Sequence, residues 1–367
     1  MNYEDYYTKV HGGWLGRLVG SQLGTPLEFK PYRYINWKYC SKGTKDITYY
    51  VHNINPKAVN DDEIYEIIGL LALEIKGLDI SANDIAHLWN KLLYKKQYTA
   101  EKVALNNIRK GIYPPDSGSL KYGNIWYDAI GAQMKADIWG LISPGCPKIA
   151  AEYAQIDGSV THQGVGIDGE IFLAAMVANA FEVSDIPTLI SSSLEILPKT
   201  SEYRKFIEKC IEIYHKNPKW RDGRTQMLHE WDKIRIQLKN QADSWYRKNH
   251  YLGFWNFLHV LPNAGVITLS LFYGSNDITD PFGRPICIAG MMALDTDCNC
   301  GNIGTVMGTI LGADKLPNKW ISPLNNEFHT CVKDYEDWKI SELSRRIAKM
   351  GVKVMKGKCP EKSITER

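Results

Sequence analysis

The residues best suited to chemistry are acidic and fall in two groups. Asn60-Asp61-Asp62-Glu63 stands directly before an apolar-periodic stretch. Asp295-Thr296-Asp297-Cys298-Asn299 follows the apolar run 286–294. In the first group, Asn60 suits an N-cap and acids in a first turn suit the helix dipole, so capping accounts for it as readily as ligation. In the second, carboxylates two residues apart repel unless a cation or hydrogen-bond donors neutralise them. Hard cations such as Mg2+ take oxygen ligands. Asp61, Asp62, Asp295 and Asp297 supply enough carboxylates for a two-metal site, with side-chain oxygens from Asn60 and Asn299 beside them. Spacing alone does not bring the two groups together.

Two further stretches are candidates. His162, in Thr161-His162-Gln163-Gly164, reads either as a solvated loop histidine or as a ligand contact. The turn-rich Pro114-Pro115-Asp116-Ser117-Gly118-Ser119 precedes a helix expected near Trp126 to Trp139. It reads as a plain loop or as one presenting N–H groups to phosphate.

These side chains must be positioned by helices. Ile64, Ile67, Ile68, Leu71 and Ile75 recur at steps of three and four, which predicts an amphipathic helix from Asp61 to Lys76, widened by Leu70 and Leu73 and closed by Gly77. Ile167, Ile171, Ala174, Ala175, Ala178 and Phe181 predict a second helix with a small-residue face. Ser81 caps a third through Ile85, Leu88 and Leu92. Ile47 to Val51 is the best strand candidate, and the chain reads as nearly all α. Gly12, Gly16, Gly20 and Gly24 recur every four residues, as do Gly304, Gly308 and Gly312. A helical glycine costs about 1 kcal/mol relative to alanine. Close helix-to-helix approach is the compensating gain expected here, either for packing alone or to hold something rigidly between the two helices.

Composition limits the remaining choices. The chain has 44% hydrophobic and 23% charged residues over 367 positions. That balance is globular rather than disordered. No apolar run approaches the roughly 20 residues of a membrane span. A net charge of +3 gives no indication of nucleic acid or membrane surface. The polar, acidic N-terminus shows no secretory signal. The eight cysteines include no CxxC and suggest neither a zinc knuckle nor a disulfide framework, so a reducing, cytoplasmic compartment is expected. No linker or repeat divides the chain. One domain over 1–367 is expected, with residues from about 350 to 367 forming a short helix and tail. The segment 200–250, with Lys205, Lys209, Lys216, Lys219 and Arg221, reads as a solvated helical face.

The order of these motifs resembles the ADP-ribosylglycohydrolase family. Gly12 to Phe29 is similar to its glycine-rich first helix and Pro-x-Glu-Phe end. Asn60-Asp61-Asp62 is similar to its Thr-Asp-Asp, Gly131-Ala132-Gln133-Met134-Lys135 to its Gly-Ala-x-Met-Arg, and His162 to the histidine of its Thr-His. Asp295-Thr296-Asp297-Cys298 is similar to its Asp-Thr-Asp-Thr, with a Gly-x-x-x-Gly helix following. The likeness is collinear over about residues 10 to 315.

The resemblance implies an all-α orthogonal helix bundle around two Mg2+ ions. It puts Asn60, Asp61, Asp62, Asp295, Asp297 and Cys298 at metal-ligand positions, and Glu28 at a catalytic or metal-gating one. Ser117, Gly118, Ser119 and Gly131 fall near ADP-ribose-contacting loops, and His162 at a ligand contact. Two departures matter. Asn60 and Cys298 replace threonines, and sulfur is a poor Mg2+ ligand, so the second metal is the weaker expectation. The Asp-Thr-Asp-Cys-Asn form, with Gly166 to Phe172, looks like a divergent branch. The implied activity is Mg-dependent hydrolysis of an ADP-ribosyl N- or O-glycosidic bond, with Glu28, Asp61 and Asp297 catalytic. The alternatives are a hydrolase of another N-riboside or nucleotide-derived small molecule, and a non-catalytic ADP-ribose-binding protein.

Overall fold

Glycines bring two helices into backbone contact, and the site depends on that contact. In the computed structural model, which describes residues 1–365, the helix Tyr3–Gly24 runs antiparallel to Thr296–Leu311. A Cβ on Gly12 would fall 2.4 Å from the Gly308 carbonyl oxygen, one on Gly16 2.0 Å from that of Gly304, and one on Gly20 2.0 Å from that of Cys300. Each four-residue step down one helix meets a four-residue step up the other. Gly312 differs from its two predecessors: it lies past the helix end at φ +76°. Glycine is favoured in that conformation.

The architecture is helical, with eighteen α-helices among the described residues. The only sheet among them is a two-stranded antiparallel one, Glu327–His329 with Asp337–Lys339, Phe328 opposite Trp338. The expected strand at Ile47–Val51 is not formed. Its backbone finds no neighbouring strand: the Ile47 N–H points at Met291 Sδ, and the Tyr50 hydroxyl donates to the Trp320 carbonyl at 2.8 Å.

The helix Asp62–Lys76 buries Ile64, Ile67, Ile68, Leu70, Leu71 and Leu73, and ends at Gly77 with φ +88°. Ile75 departs from the expected stripe and is exposed, because the last turn runs clear of the core. Ser81 and Asp84 form a reciprocal capping box on Ala82–Leu92. The small-residue helix is Val165–Asn179, packed on Pro147–Thr161. The helix expected near Trp126 to Trp139 is instead two short ones, Gly131–Met134 and Asp137–Leu141, after a run of turns.

The C-terminal helix Ile340–Lys358 takes in the first part of the expected helix-and-tail segment and buries Met350, Gly351, Val354 and Met355 against the body. A disulfide joins Cys359, just past this helix, to Cys146, which precedes the helix Pro147–Thr161; the other six cysteines are free and buried. No disulfide framework was expected, and this single bond joins cysteines 213 residues apart, a pairing that sequence spacing does not reveal. In 200–250, Lys205, Lys209, Lys216 and Lys219 are exposed on Glu202–Lys216 and the turn before Trp220–Gln241, whereas Arg221 pairs with Asp46 at 2.7 Å. No helix among the described residues is long and apolar enough to cross a membrane.

Candidate functional site

Three segments meet where the glycine helices end. A Cβ on Gly24 would lie 2.5 Å from the Asp297 Cα, and the Thr296 hydroxyl donates to the Gly24 carbonyl at 2.9 Å, so the turn carrying Glu28 is set beside the first turn of Thr296–Leu311. Asn60, just before Asp62–Lys76, has its amide Nδ2 3.3 Å from Asp297 Oδ2. The two acidic groups, 237 positions apart at that contact, therefore share one site. Ala293 and Leu294 stand at φ +65° and +70°, and Phe29 at +56°. Local backbone strain of this kind gathers at functional sites. The first two reversals turn the chain from the helix Gly283–Met292 into Asp295. Asn263 holds the result. Its Oδ1 accepts from the Asp295 N–H at 3.2 Å and from Asn299 Nδ2 at 2.7 Å, while its Nδ2 donates to the Phe257 and His259 carbonyls.

The carboxylates repel one another. Burial, then the charges of Asp297, Asp295 and Asp61, push Glu28 up to about 10. Burial and Asp297 push Asp61 up to about 8. Asp295 is likewise raised well above its ordinary value, by burial and then Asp297. Asp295 Oδ1 and Asp297 Oδ1 are buried with no hydrogen-bond partner, and ligand atoms of Asp295, Asp297 and Cys298 lie within 4.8 Å of one another. Unpartnered, crowded carboxylate oxygens fit a hard cation.

Asp62 and Cys298 are placed differently. Asp62 Oδ2 is 2.8 Å from Arg17 Nη2, and Asp62 Oδ1 accepts from the Cys298 thiol at 3.4 Å. Burial and neighbouring carboxylates push the Cys298 thiol well up, so it stays protonated.

Arg17, the only charged residue of its stretch of glycine helix, was not among the sequence candidates. It is fully buried and also reaches Asp137 at 3.2 Å, Glu66 at 3.4 Å and Glu63 at 3.6 Å. It anchors the Asp62 helix to the glycine helix. Burial works against its charge, but the four carboxylates outweigh it.

The substrate-side candidates form a second layer. His162 is buried rather than solvated: a Cβ on Gly118 would fall 2.6 Å from the His162 backbone nitrogen, so glycine lets that segment pack inward. Burial, then the Lys135 charge, bring His162 down to about 3, leaving it neutral. Ser117 Oγ donates to the Val160 carbonyl at 2.7 Å and Ser119 Oγ to that of Asp116 at 2.9 Å. Those hydroxyls fix the loop under Thr161-His162. Only short 3-10 turns begin at this loop, so it does not form the helix start that the phosphate reading required. Gly131 lies against the Glu101 carboxylate.

The profile of the ADP-ribosylglycohydrolase family matches residues 2–352. This chain belongs to that family. Among solved structures, one described as an ADP-ribosylglycohydrolase-related protein complex superposes with a TM-score of 0.58 at 14% identity, over 95% of this chain and 99% of that one. At that identity the likeness speaks for the fold, which is the all-α fold described above. No curated protein matches in sequence. Membership in the ADP-ribosylglycohydrolases supports a hydrolase acting on ADP-ribosyl groups.

Within this glycohydrolase fold, Glu101 also went unnoticed in the sequence. It occupies the third position of the helix Thr99–Arg109, where an acid is expected for the helix dipole alone. It is 2% exposed; burial pushes it up to about 7, against its own backbone N–H and the Lys135 ammonium.

Proposed function

We propose that the protein is a Mg-dependent hydrolase that cleaves an ADP-ribosyl N- or O-glycosidic bond and releases ADP-ribose from a modified acceptor. The observation that carries this reading is the convergence of Glu28, Asp61, Asp295 and Asp297, with buried Asp295 Oδ1 and Asp297 Oδ1 left unpartnered. Four crowded carboxylates repel one another unless protons or a cation neutralise them.

In this reading Asp61, Asp295 and Asp297 hold Mg2+, with Asn60 at the edge of the set. Bound there, the ion would supply Lewis-acid charge for oxygen ligands such as sugar hydroxyls. Arg17 engages Asp62 Oδ2 and the Cys298 thiol engages its Oδ1, which favours one well-formed ion site over two. Cys298 contributes a protonated thiol and no oxygen, in keeping with that count. Glu28 and Asp61 are half-buried, while Asp295 and Asp297 are buried, so Glu28 is placed to exchange a proton with solvent. The charges that keep Glu28 protonated are those a cation neutralises. Glu28 therefore becomes a base only in the loaded site, where it accepts the proton of an attacking water. Bond breaking at the anomeric carbon proceeds with oxocarbenium character, as in other glycoside cleavages.

The test is ADP-ribose release from a panel of mono-ADP-ribosylated substrates, with Mg2+ and with chelator, for the wild type and Asp297→Asn. Release that needs both Mg2+ and Asp297 is expected, and the panel identifies the acceptor. Release unaffected by chelator overturns the metal assignment. No release from any acceptor favours another N-riboside as substrate.

A further inference from the structure

A cation accounts for the unpartnered oxygens of Asp295 and Asp297. It does not account for Glu101 Oε1, His162 Nε2 or the Tyr65 hydroxyl, which are also buried without a hydrogen-bond partner. Groups left in that state at a reaction centre point to a ligand that completes them. Glu101 Oε1 and His162 Nε2 face each other at 3.9 Å. That separation is beyond hydrogen-bond reach. An atom placed to one side of the line between them reaches both at normal length.

The surroundings hold both groups in place. A Cβ on Gly131 would fall 2.0 Å from Glu101 Oε1, so the carboxylate occupies space that only glycine leaves. Glu101 Oε2 takes the Thr99 hydroxyl at 3.4 Å. Gly118 and Gly166 admit the His162 backbone and ring. The Thr161 hydroxyl lies 2.7 Å from His162 Nδ1, its one partner among the described residues. Buried, that hydroxyl satisfies its proton by donating to Nδ1, which puts the imidazole proton on Nε2. The pair then offers one donor, Nε2–H, and one acceptor, Oε1. A hydroxyl completes both, accepting from His162 and donating to Glu101.

We propose that Glu101 and His162 form a clamp for one hydroxyl of the bound riboside, with Glu101 the specificity-determining member. The proposal rests on the glycohydrolase reading and adds to it a residue close enough to Asp61 for its charge to act there. It also gives Gly131 a physical role.

The test is steady-state release of ADP-ribose by Glu101→Ala, Glu101→Gln, His162→Ala, the double variant Glu101→Ala/His162→Ala, Gly131→Ala and Asp297→Asn, with circular dichroism and melting to confirm folding. Glu101→Ala should raise KM about tenfold, the scale of one lost hydrogen bond to a charged group. Glu101→Gln, which keeps an acceptor oxygen, should lose less. Because one hydroxyl serves both residues, the double variant should be little worse than either single one. Gly131→Ala should raise KM in the wild type and add nothing to Glu101→Ala.

Wild-type kcat and KM in folded Glu101→Ala, or losses that multiply in the double variant, overturn the clamp while an inactive Asp297→Asn leaves the parent reading standing. Full activity of Asp297→Asn overturns the parent reading instead. If the wild type turns over no substrate, calorimetric titration with ADP-ribose decides: weaker binding by Glu101→Ala supports the clamp, and unchanged binding overturns it.

Discussion

Gly16 and Gly304 meet backbone to backbone, each so close that a Cβ on either would sit 2.0 Å from the other's carbonyl oxygen. Neither atom can move without moving a helix. Gly16→Ala or Gly304→Ala gains about 1 kcal/mol of helix propensity but forces the helices apart, an overpacking cost of about 1–3 kcal/mol or more. The expected net is a loss of stability in urea unfolding. A second loss, of Mg2+-stimulated activity, should accompany it, because the same contact sets Glu28 beside Asp297. Gly111→Ala is the control: nothing lies within 4 Å of its Cβ position and φ is +83°, so only backbone strain is added and activity should survive.

Arg17 pairs with four carboxylates from two helices, Asp62–Lys76 and Asp137–Leu141, while fully buried. Removing one member of a buried ion pair leaves uncompensated charge and costs about 3–5 kcal/mol. Arg17→Met, similar in length, should therefore lower the melting temperature sharply. Arg17→Lys should recover little of it, since a single ammonium does not span Asp62, Glu66 and Asp137 as a guanidinium does. Equal stability of Arg17→Met and wild type would refute the anchoring role.

How much of this was legible depended on whether a residue's partner was local. The helix Asp62–Lys76, the Ser81 cap and the glycine spacing carried their own periodic signals, and the structure has all three. The likeness in motif order carried the two aspartate groups to one place, which spacing could not. Arg17, Glu101 and Asn263 were missed because each takes its significance from residues far along the chain: Arg17 from Asp137, Glu101 from Gly131 and His162, Asn263 from Asp295. Locally they look like a polar helix position, a first-turn acid and a turn residue. The Cys146–Cys359 bond and the coil at Ile47–Val51 were illegible for the same reason, since each is decided by distant packing.

Cys298 offers a check on the donor set. Its thiol donates to Asp62 and is held protonated, so Cys298→Ala should weaken Mg2+ binding far less than Asp297→Asn. Cys298→Ser replaces a poor donor by an oxygen and should strengthen binding. Titration calorimetry of the three variants measures this directly. A Cys298→Ala loss as large as that of Asp297→Asn would make the sulfur a ligand.

The acidic cluster also fixes the pH dependence of the metal-free protein. Asp61 is pushed from 3.8 to about 8 and Glu28 from 4.5 to about 10, chiefly by burial and then by Asp297. A carboxyl raised on folding keeps a proton that the unfolded chain has released. Its contribution is fully present below the unfolded value and is lost as pH rises toward the folded one. Asp128 behaves oppositely: despite burial, His259 and Arg247 hold it well below 3.8, so its contribution fails only in acid, outside this window. In chelator, stability should therefore fall from about pH 4 to about pH 10. Mg2+ should flatten that fall and release protons on binding, measurable as a heat that depends on the buffer's ionisation enthalpy. Asp297→Asn should flatten it without Mg2+, because it removes the charge acting most strongly on both groups. A metal-free melting temperature indifferent to pH across this range, or one that Mg2+ leaves unchanged, would mean that these carboxylates do not share a cation.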